Sequence, residues 1–135
     1  MADFRPVSDD FAVSPQISEV EVGQAAAQGY RLIINNRPDG EAPDQPAGGR
    51  IEAAARAVGV NYLFIPIVGR PTPEQAAHVR EAAAGAGGKT LAFCRSGTRS
   101  IMAWALGQLA TGVSRKELVE RAARAGYDLS GALPD

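Results

Sequence analysis

Cys94, Gly97, Arg99 and Ser100 fall within one short stretch, Cys94-Arg95-Ser96-Gly97-Thr98-Arg99-Ser100, that supplies a nucleophile, a turn, an anion fork and a hydroxyl. The apolar run Lys89-Thr90-Leu91-Ala92-Phe93 before it has the form of a buried strand of a parallel sheet, and Ile101-Met102-Ala103-Trp104-Ala105-Leu106 after it opens a helix. A loop that feeds a helix N-terminus turns unpaired backbone N–H groups toward its centre, where the helix dipole adds positive potential. An anion fits that bowl. The same field stabilises a thiolate, the form of cysteine that attacks phosphorus, sulfur or carbon. Gly97 lets the backbone turn without a Cβ in the bowl. Arg99 offers a planar pair of donors to two oxygens of a phosphate or a thiosulfate. Ser100 can donate its hydroxyl to Cys94 or to a leaving thiolate, and Arg95, Ser96 and Thr98 complete the anion-binding set. A lone cysteine at a strand end is otherwise a small buried hydrophobe. The glycine, arginine and serine at these offsets weigh against that bland role.

The elements that position this loop follow from patterning. Residues 1–9 carry no clear period and read as an N-terminal arm, with a single domain over 10–135. Phe11-Ala12-Val13 has the form of a short strand. Ser18 and Glu21 make a capping box that opens a helix to Gln28, stopped at Gly29. Strand Tyr30-Arg31-Leu32-Ile33-Ile34-Asn35 runs into the polar loop Asn36-Arg37-Pro38-Asp39-Gly40-Glu41, a helix is expected over 48–58, and Tyr62-Leu63-Phe64-Ile65-Pro66 forms the next strand. Thr72, Pro73 and Gln75 start another helix, and Ser114 caps a last one ending near Gly126. Strands alternating with helices at this spacing predict the α/β class: one small domain with a mainly parallel sheet of about four strands flanked by helices. Ligands in such sheets sit beyond the carboxyl ends of the strands, so the loops after Asn35, after Ile67 and after Phe93 converge on one face.

Composition narrows the chemistry. The chain has 135 residues, 45% of them hydrophobic, and a net charge of −1 from 14 basic and 15 acidic residues. That gives one core and no broad field for nucleic acid. One cysteine makes no internal disulfide, no apolar segment approaches the ~20 residues of a membrane span, and no signal-peptide pattern is read, so a cytoplasmic location is expected. A single His and no carboxylate cluster at ligand spacing point to a reaction without metal or other cofactor.

The loop resembles two known kinds. Cysteine-dependent phosphatases place two residues between glycine and arginine, whereas here only Thr98 separates Gly97 from Arg99; single-domain rhodaneses commonly have this shorter spacing. Taken with Asn36-Arg37-Pro38-Asp39-Gly40-Glu41 after a strand, Ile65-Pro66 at the end of the next, and Trp104 in the helix after the loop, the chain resembles the phosphatase-like domain family of the bacterial beta-lactamase hydrolase-like proteins over residues 11–129. The resemblance implies a fold like that of the dual-specificity phosphatases, with Cys94 as nucleophile and Arg99 as oxyanion ligand.

On that basis the expected substrate is a small oxyanion or a phosphorylated molecule, with neither nucleic acid nor membrane as partner. A phosphate monoester would require a proton for its leaving alkoxide. Asp39 is the first candidate for that acid, with Glu41 and Glu74 behind it, and an Asx-type turn before Gly40 is the alternative role of Asp39. Arg37 is expected as a second anion ligand or as the partner of Asp39. A sulfurtransferase carrying a Cys94 persulfide needs no such acid and ranks second. A non-catalytic module that binds an anion or a protein is third. His78 reads as a surface residue, Trp104 and Met102 as core or groove wall, and the helix bearing Arg115, Lys116, Arg121 and Arg124 as a solvated face.

Overall fold

Strands β1 (Arg5–Ser8), β2 (Phe11–Ser14), β3 (Tyr30–Asn35), β4 (Asn61–Phe64) and β5 (Lys89–Phe93) join in one sheet in the order β1-β2-β5-β3-β4. The structure, a computed structural model, describes residues 2–134; Met1 of the expected arm and Asp135 of the expected domain lie outside them. Pairing is parallel between β2 and β5, β5 and β3, and β3 and β4, while β1 runs antiparallel to β2 with Arg5 opposite Val13. The sheet thus has one strand more than the sequence suggested. The extra strand lies in the stretch expected as an arm: β1 turns at Asp9 and Asp10 into β2, and its Val7 is buried.

Local signals set the helices α1 (Glu19–Ala27), α2 (Gly48–Ala57), α3 (Pro73–Ala84), α4 (Thr98–Ala110) and α5 (Arg115–Arg124). Reciprocal capping boxes form at Ser18 with Glu21 and at Thr72 with Gln75, satisfying orphan donors of the first turn at each end. Among the described residues no helix is long and apolar enough to cross a membrane.

Side chains that alternate along the strands feed two cores, one on each face of the sheet. Ala12, Ile33, Leu91 and Phe93 pack with Ile17, Val22, Ala25, Ile51 and Ala55 of the α1 and α2 side. Val13, Leu32, Ile34 and Ala92 pack with Ile101, Trp104, Ala105 and Leu118 of the α4 and α5 side. Each large side chain wholly withdrawn from water contributes about 1.5–3 kcal/mol. Ile101, Trp104 and Ala105 recur at helical spacing, so their burial fixes the roll of α4 about its axis, and with it the direction of the first turn that carries Arg99.

Candidate active site

The cysteine loop leaves the carboxyl end of β5, the central strand, between the loops that follow β2 and β3. The Cys94 amide donates to Ser14 O at 3.4 Å, and the Asn36 amide donates to Phe93 O at 2.8 Å, so both neighbouring strands hold the loop's entry. Gln16 on the β2 side donates its amide to Arg95 O at 3.2 Å. Gly97 is the N-cap of α4 with φ +94°, a left-handed conformation that favours glycine, and the helix starts at Thr98. Arg99 and Ser100 therefore belong to the first turn rather than preceding it, which brings the dipole end of α4 closer to the cysteine than the sequence suggested.

Cys94 forms the floor. The residue is fully buried, and its Sγ accepts the Gly97 N–H at 3.1 Å. The amides of Arg95, Ser96, Arg99 and Ser100 find no acceptor among the described residues, as expected of a loop entering a helix. Arg95, Ser96 and Thr98 are exposed around this ring, with the Ser96 and Thr98 hydroxyls 3.0 Å apart.

Arg99 is held from two sides. Its Nη1 donates to Glu41 Oε2 and to Ile67 O, both at 2.8 Å, and its Nη2 donates to Glu41 Oε1 at 2.9 Å. The carboxylate thus takes the end of the guanidinium, and the Nε–H and one Nη2–H remain for two oxygens of a ligand. Glu41 keeps Arg99 firmly protonated, with the Cys94 sulfur acting in the same direction. Reciprocally, hydrogen bonds from Arg99 and then Arg37 bring the Glu41 carboxyl down to about 2. Glu41 is therefore fixed as a carboxylate and is no proton donor.

Arg37 is 4% exposed and lies beneath this pair, donating through Nε to Glu41 Oε1 and through Nη1 to Gln16 Oε1, each at 3.0 Å. Its partner is Glu41 rather than Asp39, and two of its nitrogens are engaged by the protein. Asp39 is exposed, and its Oδ1 accepts the Gly48 N–H at 2.7 Å, capping α2, whose own N-cap residue Ala47 has no side-chain oxygen. Oδ2 of Asp39 has no partner among the described residues. Ser100 is fully buried and donates to Asn36 Oδ1 at 2.8 Å, so its hydroxyl is directed away from the role first expected of it toward Cys94. Asn36 in turn donates Nδ2 to Ile65 O and receives Ile67 N–H on its carbonyl, knitting three loops beneath the site. Glu74 and His78 are exposed on α3, and Trp104 is core, tilted against Phe11.

Three participants escaped sequence reading in these roles: Gln16, Asn36 and Tyr127. Tyr127 donates its hydroxyl to Ser96 O at 2.7 Å. Its one local signal is its position directly after Gly126, where α5 must stop and the chain must turn back.

A family model described as beta-lactamase hydrolase-like protein, phosphatase-like domain, matches residues 3–111. The beta-lactamase hydrolase-like protein of Xylella fastidiosa (strain Temecula1) is 38% identical over 129 residues, which are 94% of this chain and 30% of that protein. The chain thus spans less than a third of the length of the curated relatives it matches. Among solved structures, a candidate phosphatase from Neisseria meningitidis Z2491 aligns with a TM-score of 0.86 at 28% identity, covering 96% of this chain and 92% of that one. A Cys-to-Ser form of P. aeruginosa TpbA in complex with phosphotyrosine shares the fold with a TM-score of 0.69 at 15% identity, covering 96% and 77%.

Proposed function

The chain belongs to the phosphatase-like domain family of the beta-lactamase hydrolase-like proteins, and from that premise we propose that it hydrolyses a phosphate monoester with Cys94 as nucleophile. The observation that carries this reading is Arg99, gripped end-on by Glu41 beside a buried cysteine, with the free loop amides around it. The Cys94 thiolate attacks phosphorus opposite the leaving oxygen; the S–P bond forms as the P–O bond to the leaving group breaks. The Nε–H and Nη2–H of Arg99 and the amides of Arg95, Ser96, Arg99 and Ser100 hold the equatorial oxygens, whose charge they meet without reorganising. Asp39 supplies the proton to the leaving alkoxide from Oδ2, the oxygen not engaged by Gly48. Asp39, now a carboxylate, takes a proton from the water that attacks the cysteinyl-phosphate; the new P–O bond forms as the S–P bond breaks, releasing inorganic phosphate and the thiolate and restoring the acid. Arg95, Ser96 and Thr98 on the rim, with Arg37 beneath, supply the remaining donors and positive charge of the anion site.

Sulfane-sulfur transfer is the second reading, favoured by the four residues between Cys94 and Arg99 and by the commitment of Asp39 Oδ1 to α2. There Cys94 takes the outer sulfur of thiosulfate as a persulfide, sulfite leaves with the electron pair, and cyanide accepts the sulfur.

Parallel assays separate the two. Turnover of an aryl phosphate that exceeds the thiosulfate-to-cyanide rate and vanishes in Cys94→Ser is the expected result. A thiosulfate rate higher by orders of magnitude reverses the ranking, and unchanged turnover in Cys94→Ser removes Cys94 from both mechanisms.

A further inference from the structure

We infer that Tyr127 is a positioning residue for the nucleophile: by binding the Ser96 carbonyl it holds the Ser96–Gly97 peptide with its N–H on the Cys94 sulfur. This rests on the reading of Cys94 as the nucleophile.

Ser96 O and Gly97 N belong to one peptide group. The carbonyl accepts the Tyr127 hydroxyl at 2.7 Å, and the N–H donates to Cys94 Sγ at 3.1 Å. In a planar trans peptide the C=O and N–H point in opposite directions, so a bond at one end fixes the direction of the other. This peptide needs fixing. It precedes a glycine, the residue that least restrains rotation of the peptide planes beside it, and without the phenol the Ser96–Gly97 peptide is held only by its N–H bond to the Cys94 sulfur. Gly97 also stands against the tyrosine itself, since a Cβ there would overlap the phenol oxygen. The glycine thus admits the residue that restrains it.

The chain delivers Tyr127 by a local device. α5 buries Leu118 and Ala122, then ends with Gly126 left-handed at φ +93°. Tyr127 N–H donates to Ala122 O at 2.9 Å and Gly126 N–H to Ala123 O at 3.0 Å, the pair of bonds of a Schellman turn. That turn sends the side chain back across the domain to the loop 31 residues earlier. Tyr127 is 9% exposed, and its ring carries the Arg5 guanidinium 5.0 Å from its centre; Arg5 also donates to Ala125 O. Burial pushes the phenol above its ordinary range, which keeps it an O–H donor. Tyr127 lies outside residues 3–111 that the family model matches, so the buttress and the loop it supports come from different parts of the chain.

Tyr127→Phe keeps the ring and deletes the donor. With an aryl phosphate, the expected result is a fall in kcat of about tenfold with KM changed less than about twofold, the loss of a hydrogen bond to a charged group acting on the nucleophile alone. The ultraviolet thiolate band at neutral pH, measured against Cys94→Ser as baseline, falls with it, while the melting temperature stays close to the native one. Replacement of Tyr127 by para-aminophenylalanine, which restores a donor, recovers both kcat and the band. Wild-type kcat and thiolate band in a folded Tyr127→Phe protein overturn the inference. If Tyr127→Phe folds poorly, the para-aminophenylalanine protein decides: recovery supports the donor role, and a folded protein lacking the band refutes it. Turnover that survives in Cys94→Ser defeats the catalytic reading instead, and the thiolate band of the Tyr127 variants still reports whether the peptide is oriented.

Discussion

Glu41 grips Arg99 by both carboxylate oxygens, Oε2 at 2.8 Å from Nη1 and Oε1 at 2.9 Å from Nη2, across 58 residues of chain. The pair ties the loop after β3 to the first turn of α4. It also decides which edge of the guanidinium a ligand meets, because the end is taken and the side is free. Arg37, buried below, adds a second cation to the same carboxylate.

Glu41→Gln removes the charge and one of the two acceptors facing Arg99. The expected outcome is a loss in kcat/KM on an aryl phosphate of about 10- to 100-fold, with weaker binding of inorganic phosphate measured by calorimetry. Unchanged values for both would mean that the loop holds Arg99 without its carboxylate.

The same carboxylate predicts an acid limb. Its folded value of about 2 lies below its ordinary 4.5, so its contribution to stability is complete above about pH 4.5 and is lost as the pH falls through about 2. Melting temperatures of the wild type and Glu41→Gln, compared across that window, should converge toward the acid end. A constant gap from neutral pH down to pH 2 would assign the stabilisation elsewhere.

Arg99→Lys keeps one positive charge but lacks the fork. A single ammonium does not satisfy Glu41 and Ile67 O while also presenting two parallel donors to an oxyanion. Turnover should fall about 100-fold, the scale on which removal of one oxyanion donor is felt. Near-normal steady-state kinetics would count against the assigned role.

Asp39→Asn separates proton donation from capping. If Oδ2 delivers the proton, an alkyl phosphate with a poor leaving group should lose about 100-fold or more, and an aryl phosphate with a good one should lose little. Equal small losses on both, with a melting temperature kept because an asparagine oxygen still accepts the Gly48 N–H, would leave Asp39 as the cap of α2 alone.

Gly97→Ala meets two obstacles, a left-handed backbone and the Tyr127 phenol. Gly112 shares the backbone conformation at φ +101° with open space around it, so Gly112→Ala measures the backbone cost by itself, about 1–3 kcal/mol. Chemical denaturation should show Gly97→Ala losing more than Gly112→Ala. Equal losses would mean that Tyr127 yields at no cost.

Much of the scaffold was legible because its causes are local. β3 and β5 lie where Leu32-Ile33-Ile34 and Leu91-Ala92-Phe93 concentrate apolar side chains, and the starts of α1, α3 and α5 coincide with Ser18, Thr72 and Ser114, whose oxygens bond to backbone only three residues away. The loop itself was legible for the same reason: strand, glycine, arginine and helix follow one another within a few residues. β1 was not, since nothing within residues 5–8 states that Arg5 will stand opposite Val13.

What the sequence determined by itself was therefore a cysteine at the end of a buried strand, before a helix, with an arginine in reach. Only the tertiary structure decided the rest: Ser100 turned to Asn36, 64 residues away; Glu41 became the holder of Arg99 rather than an acid; and Tyr127 came to rest on the Ser96 carbonyl. A side chain on a loop takes whichever partner packing brings within hydrogen-bond distance. That choice is made when the two faces of the sheet are covered and the loops at its carboxyl edge are forced together.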